Sequence, residues 1–195
     1  MMRSIRLAAA TAWALALAGC FGGAKVPPTL LTLTPVAATA TTAARAANAG
    51  EAVTIAVPVI PKELRSVRVP VQISETAVAY VKGVQWVDTP DRLFQRLLAE
   101  TVTRTTSRVV LDPKQATLDP GLQLSGQLHR FGYDAATGAA VAVFDGAMST
   151  AGGTRVETRR FTASVPSAAD KDSVGPALNQ AANQIAGEVA QWIGG

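Results

Sequence analysis

Side chains that commonly do chemistry are scarce in this 195-residue chain. It has one histidine, His129, one cysteine, Cys20, and fourteen carboxylates. Nucleophilic and acid–base catalysis usually require an imidazole, a thiolate or carboxylates held close together. Whether the chain could catalyse a reaction therefore depends on where these few groups lie.

His129 belongs to the run 122–131, whose alternation predicts a strand. On that strand it shares a face with Gln123, Ser125 and Gln127, while the leucines point the other way. A solvated polar face explains this pattern better than a reactive site. Zinc would need three or four Cys, His or carboxylate ligands, which one histidine does not supply. We expect neither a metal nor another cofactor.

Close pairs of carboxylates occur only at Asp88/Asp91 and Asp170/Asp172. Both pairs stand where a predicted helix begins, and negative charge is favourable at the positive end of the helix dipole. Helix initiation therefore accounts for them without acid–base work.

The N-terminus has three features of a secretory signal peptide. Arg3 and Arg6 form a basic stretch, an apolar run follows from Leu7 to Leu17, and small residues then precede Cys20. The apolar run is shorter than the roughly 20 residues that cross a bilayer core. We expect a signal peptide over residues 1–19 and a mature chain that does not span the membrane.

Residues 17–20, Leu-Ala-Gly-Cys, resemble the lipobox of bacterial lipoproteins, in which the cysteine thiol receives a diacylglyceryl group. Each buried acyl methylene contributes about 0.8 kcal/mol to membrane binding. The resemblance implies cleavage before Cys20 and acylation, as with palmitate, at Cys20. Because Phe21 follows, and not the Asp that retains lipoproteins at the inner membrane, it also implies the periplasmic leaflet of a Gram-negative outer membrane. The alternative is a secreted protein whose only cysteine falls there by chance.

Charge gives little support to nucleic-acid binding. Removal of Arg3 and Arg6 with the signal peptide lowers the formal net charge from +4 to +2. The high isoelectric point thus reflects a small excess among few charges, and we expect no nucleic-acid partner.

Residues 20–51 are predicted to carry the anchor, a first strand near Leu30–Thr34 and an Ala/Thr-rich tether. The folded domain is predicted over residues 52–195. Alternating runs at 53–57 and 67–73 predict strands, and Pro70 favours a sheet edge or an extended loop for the second.

Two amphipathic helices and a meander complete the prediction. Thr89-Pro90-Asp91 predicts a helix start in which the Thr89 hydroxyl accepts from backbone donors. Three strand-like runs from Leu122 to Val165 predict an antiparallel meander, and apolar spacing from Val174 to Trp192 predicts a second helix. The fold class is therefore α+β: an antiparallel-rich sheet with two amphipathic helices packed on one face.

Trp86 lies between a strand candidate and the first helix. The simpler interpretation is a large core anchor under that helix. Contact with a partner or ligand is the alternative.

From about Leu30 to Ile193 the chain is similar to the ABC-type transport auxiliary lipoprotein family. The similarity is carried by the order of several short motifs and not by any one of them. They are Leu-Thr-Leu-Thr-Pro at 31–35, Ile-Pro-Lys-Glu-Leu at 60–64, the segment 86–90 before Leu93, Leu97 and Leu98, Leu-His-Arg-Phe at 128–131, Arg-Arg-Phe at 159–161, and an Ala-rich helix ending at Trp192.

The resemblance implies a non-enzymatic periplasmic lipoprotein that works with an MCE-domain (mammalian cell entry) protein, an ABC permease and an ATPase in lipid transport. It brings no catalytic residues, and it leaves open a lipid ligand and a homo-oligomeric state. One alternative is a structural or assembly lipoprotein of another outer-membrane complex. Another is an enzyme in which Ser125, Asp134 or Asp145 converge on a pocket.

Overall fold

The computed structural model describes residues 29–36, 46–48, 50–112, 121–150 and 155–194. Cys20 and the predicted signal peptide lie outside these residues. The elements, in chain order, are β1 (Val53–Ile55), a short 3-10 helix (Lys62–Leu64), β2 (Arg68–Ser74), β3 (Ala77–Gln85), α1 (Pro90–Thr105), β4 (Val110–Leu111), β5 (Leu122–Asp134), β6 (Ala139–Thr150), β7 (Val156–Pro166) and α2 (Val174–Gly194). None of the helices in this part of the chain is long and apolar enough to cross a membrane.

One seven-stranded sheet organises the body, and β5 is its longest strand. The predicted meander is confirmed: β5, β6 and β7 pair antiparallel in sequence. The other edge of β5 is shared by β1 and β2, which both run parallel to it. β4 pairs parallel with β1, and β3 pairs antiparallel with β2. The fold class is α+β as predicted, with a sheet that is mixed.

The prediction of a sheet edge or loop at Pro70 is wrong, because β2 lies between β3 and β5. The sheet tolerates the missing N–H through its register. Pairing with β3 shifts between Arg68 and Pro70, and pairing with β5 begins only at Val71. The irregular pairing thus falls at the residue that cannot donate to a ladder.

α1 begins at Pro90 as predicted, but Thr89 does not cap it with its hydroxyl. Instead the Thr89 carbonyl accepts from the backbone N–H groups of Arg92 and Leu93. Asp88 accepts from the Thr89 N–H and forms an ion pair with Arg96 at 3.0 Å. The Asp88 carboxylate thus links the residue before the helix to the second helical turn.

α2 begins after a tight turn held by Asp170, whose carboxylate accepts from the backbone N–H groups of Asp172 and Ser173. These hydrogen bonds, that from Ser173 first, lower the pKa of Asp170. The predicted apolar stripe is buried from Val174 to Val189, and Trp192 is half-buried.

A row of aromatic rings fills the space between the helices and the sheet. Neighbouring ring centroids lie 5.3 to 6.4 Å apart, within the range of favourable aromatic contacts. The row runs Trp86, Phe131, Phe94, Phe144, Phe161, Trp192. It joins both helices to β5, β6 and β7.

Candidate functional site

The N-terminal strap, residues 29–36, packs against the folded body. Leu31 pairs with Trp86 in a parallel bridge: its N–H donates to the Gln85 carbonyl and its carbonyl accepts from Val87 N–H, both at 2.8 Å. The Leu31 side chain sits over Gly175 in the first turn of α2. A Cβ on Gly175 would come within 2.7 Å of a Leu31 methyl carbon, so the glycine makes room for the leucine.

Two asparagines one helical turn apart hold the rest of the strap. The Asn179 side-chain oxygen accepts from Thr34 N–H at 2.9 Å, and that of Asn183 accepts from Val36 N–H at 2.9 Å. Asn183 also donates to the Thr34 carbonyl. Two residues of extended chain rise roughly 6.6 Å and four helical residues rise roughly 6 Å, so the two elements keep register. Strap and helix therefore bind as a short ladder.

Trp86 is 1% exposed and stacks on Phe131 at 5.5 Å between centroids. Its indole Nε1 is buried and has no hydrogen-bond partner among the described residues. This is a core position. Contact of Trp86 with a partner or ligand stays a prediction, and it would require the surrounding core to open.

His129 lies on the sheet face opposite the helices, as part of a charged cluster. Its Nε2 lies 2.9 Å from an Asp145 oxygen, and Arg160 donates two hydrogen bonds of 2.6 Å to the same carboxylate. The hydrogen bonds from Arg160, followed by the interaction with His129, hold the pKa of Asp145 below its ordinary value. Asp145 is thus a stable carboxylate between two basic groups.

The three groups that an enzyme would require have separate partners. Ser125 donates to the Ala147 carbonyl at 3.4 Å, and Asp134 accepts from Arg130 at 2.7 Å. That hydrogen bond lowers the pKa of Asp134. The shallow cavity beside Asp145 is lined by neither Ser125 nor Asp134. Among the residues that the structure describes, Ser125 therefore does not converge with Asp134 and Asp145 on one pocket.

Metal ligands are also not assembled: within the described ranges, no three His, Cys, Asp or Glu residues are grouped to hold an ion. An open cavity of about 950 Å³ lies where both helices end, between Thr105–Arg108 and Gly187–Gly194. Ala46, Ala47 and Glu51 complete its wall. The residues that line it are small, polar or charged.

Sequence reasoning predicted a first strand near Leu30–Thr34 but missed its contacts with α2. The apolar spacing that predicts α2 leaves Asn179 and Asn183 outside its stripe, yet Asn183 is only 9% exposed. The available signal was the spacing of four between two asparagines, together with a glycine in the first turn. Neither feature indicates by itself which segment will pack there.

Fold and strap together define a class: a small α+β protein whose N-terminal segment is fastened along its last helix. Residues 31–190 match the family model described as ABC-type transport auxiliary lipoprotein component. The chain belongs to this family, as its motifs predicted.

Two of the solved structures that match the chain share its fold. A Xanthomonas campestris protein of family DUF330 matches with a TM-score of 0.67 and 19% identity, covering 86% of this chain and 92% of the other. An uncharacterized protein matches with a TM-score of 0.63 and 16% identity, covering 77% and 96%. A PelC dodecamer from Paraburkholderia phytofirmans has a TM-score of 0.43 and 11% identity, covering 76% and 94%. No curated protein matches the chain.

Proposed function

We propose that the protein is a non-catalytic accessory lipoprotein of an MCE-type ABC lipid transport system, anchored by acylated Cys20 in the periplasmic leaflet of the outer membrane. The family match over residues 31–190 carries the proposal, since the family is one of auxiliary transport lipoproteins. In this proposal the protein acts by position: lipid fixes the body to a membrane, and the body contacts the MCE partner.

The geometry of the polar groups supports a non-catalytic role. The carboxylates on the outer sheet face are neutralised by arginines, and the only histidine is engaged with one of them. An arginine beside Asp134 and another beside Asp145 lower the pKa of each carboxyl, which makes both carboxylates weaker bases.

Capture from native membranes tests the partner. The full-length protein with a C-terminal tag is expressed in its own host, and the envelope is dissolved in mild detergent before capture. Co-purification of an MCE-domain protein with a permease and an ATPase is the expected result. Capture of outer-membrane assembly proteins instead would favour the alternative role and contradict the transport proposal.

The anchor is tested separately. Cys20→Ala should leave the circular dichroism spectrum unchanged and abolish membrane attachment, because the mature chain then has no acyl group. The variant is carried behind a signal peptide cleaved by the general signal peptidase, so that an uncleaved apolar segment does not hold it. Recovery of this variant in the membrane fraction would contradict the lipid anchor.

A further inference from the structure

The strap changes which part of the chain links anchor to body. Leu31 is fastened to Gln85, Val87 and Gly175, and the Ala/Thr-rich stretch at 37–45 comes after it in the chain. While the strap is docked, that stretch does not lie between Cys20 and the body. Only the residues between Cys20 and Leu31 do.

This connection is short. Fully extended, the residues from Cys20 to Leu31 span at most about 40 Å, whereas those from Cys20 to Ala52 would span about 110 Å. α2, which leads away from Leu31, is itself roughly 30 Å long. Turning the far end of α2 to the membrane would use about three-quarters of the available reach.

Exposed apolar side chains lie where the connection enters the body. Leu30 is 40% exposed and Val87 is 53% exposed, and they stand beside the bridge between Leu31 and Trp86. We take a bilayer surface as the partner of this corner, because the proposed lipid anchor at Cys20 is joined to it by a short segment of chain. It accepts apolar groups without requiring a shaped partner.

Resting on the proposed anchor at Cys20, we propose that the docked strap orients the body, with the Leu30–Val87 corner against the lipid surface and the C-terminal ends of both helices away from it. The ladder between the strap and Asn179 and Asn183 keeps the connection short, which favours this orientation. Release of the strap would lengthen the connection and remove the orientation.

Fluorescence quenching tests the orientation on the full lipidated protein in vesicles of phosphatidylethanolamine and phosphatidylglycerol. A fluorophore is attached at Lys171→Cys, one turn before Gly175, or at Ser107→Cys, beyond the end of α1. Both positions are exposed, and Cys20 does not react with the dye once acylated. A nitroxide-labelled headgroup is the quencher. Several-fold stronger quenching at position 171 than at 107 is the expected result.

Two variants separate the strap from the apolar corner. Leu31→Ser combined with Asn179→Ala and Asn183→Ala releases the strap, and the ratio of the two quenching signals should then fall toward one. The double variant Leu30→Asp and Val87→Asp keeps the ladder to Asn179 and Asn183 but should weaken quenching at position 171. Val156→Asp, which charges an exposed valine on the edge strand β7, is the matched control and should leave it unchanged.

Flotation with the vesicles distinguishes the two levels of the proposal. Labelled protein with the strap and corner intact that floats but is quenched equally at positions 171 and 107 would overturn the orientation alone. Wild-type protein that does not float would overturn the anchor, and the orientation with it.

Discussion

The two faces of the sheet are built by different physics. The inner face meets both helices through a continuous row of aromatic rings, which bury large areas in close contact. The outer face carries charged groups such as Asp145 and Arg160, whose side chains are 35% and 65% exposed. Exposed ion pairs contribute little to stability, because water and salt screen them. The inner face therefore contributes most of the stability, and substitutions on the outer face should change it little.

Truncation of the Phe94 ring on the inner face should cause the largest loss of stability. Phe94 is fully buried and contacts both Phe131 and Phe144. Phe94→Ala should lower the free energy of unfolding by about 3–5 kcal/mol, since it removes buried area and leaves a cavity. Urea unfolding measures the loss. Val156→Ala, at an exposed position, is the control and should change it by less than about 0.5 kcal/mol.

Alanine substitutions at two glycines should change stability in opposite directions. A Cβ on Gly126 would lie 2.2 Å from the Asp145 carbonyl oxygen and 2.7 Å from the Phe144 ring. Gly126→Ala should therefore destabilise by about 1–3 kcal/mol through overpacking. Gly187, inside α2, has no atom within 4 Å of its Cβ position. Gly187→Ala should stabilise by about 0.5–1 kcal/mol, and a loss there would contradict the helix packing.

The strap ladder should have an intermediate effect. Asn183→Ala removes hydrogen bonds to Val36 N–H and the Thr34 carbonyl, at a cost of about 1–2 kcal/mol. Hydrogen exchange at the Val36 amide should accelerate, whereas exchange at the Ala142 amide in β6 should not. Equal exchange at Val36 in both proteins would show that the ladder does not hold the strap.

The outer face should show the smallest effect. Arg160, with His129, lowers the pKa of Asp145. The Asp145 carboxyl group therefore binds fewer protons in the folded state than in the unfolded state. Its contribution, up to about 1 kcal/mol, is present above the unfolded pKa near 4 and is lost as the pH falls below it. Asp145→Asn should therefore differ from wild type in its free energy of unfolding at pH 7, and the difference should shrink as the pH falls below about 4. A constant difference across pH would contradict the ion pair.

Much of this architecture could be predicted, because the spacing of apolar residues indicates which face of a helix or strand is buried. The alternation from Leu122 onward gave the meander, and the spacing from Val174 gave α2. Two errors came from competing local solutions. Pro70 lies at a shift of register inside the sheet and not at its edge, and the carbonyl of Thr89, not its hydroxyl, accepts from the first turn of α1.

The docking of the strap along α2 could not be predicted for a different reason. Its hydrogen bonds join side chains to backbone groups about 145 positions apart, and such contacts leave no period in the sequence. Asn183 looks like any other polar residue on α2 until its partner is known. Trp86 was easier, because its size alone favours burial.

The separation between strap and helix also has a consequence in time. Thr34 is synthesised early, but its partner Asn179 lies 145 residues later, in the last element of the chain. The hydrogen bonds to Asn179 and Asn183 can therefore form only after α2 has been made. Complete docking of the strap thus follows completion of the body, and a chain truncated before α2 would keep at most the bridge between Leu31 and Trp86.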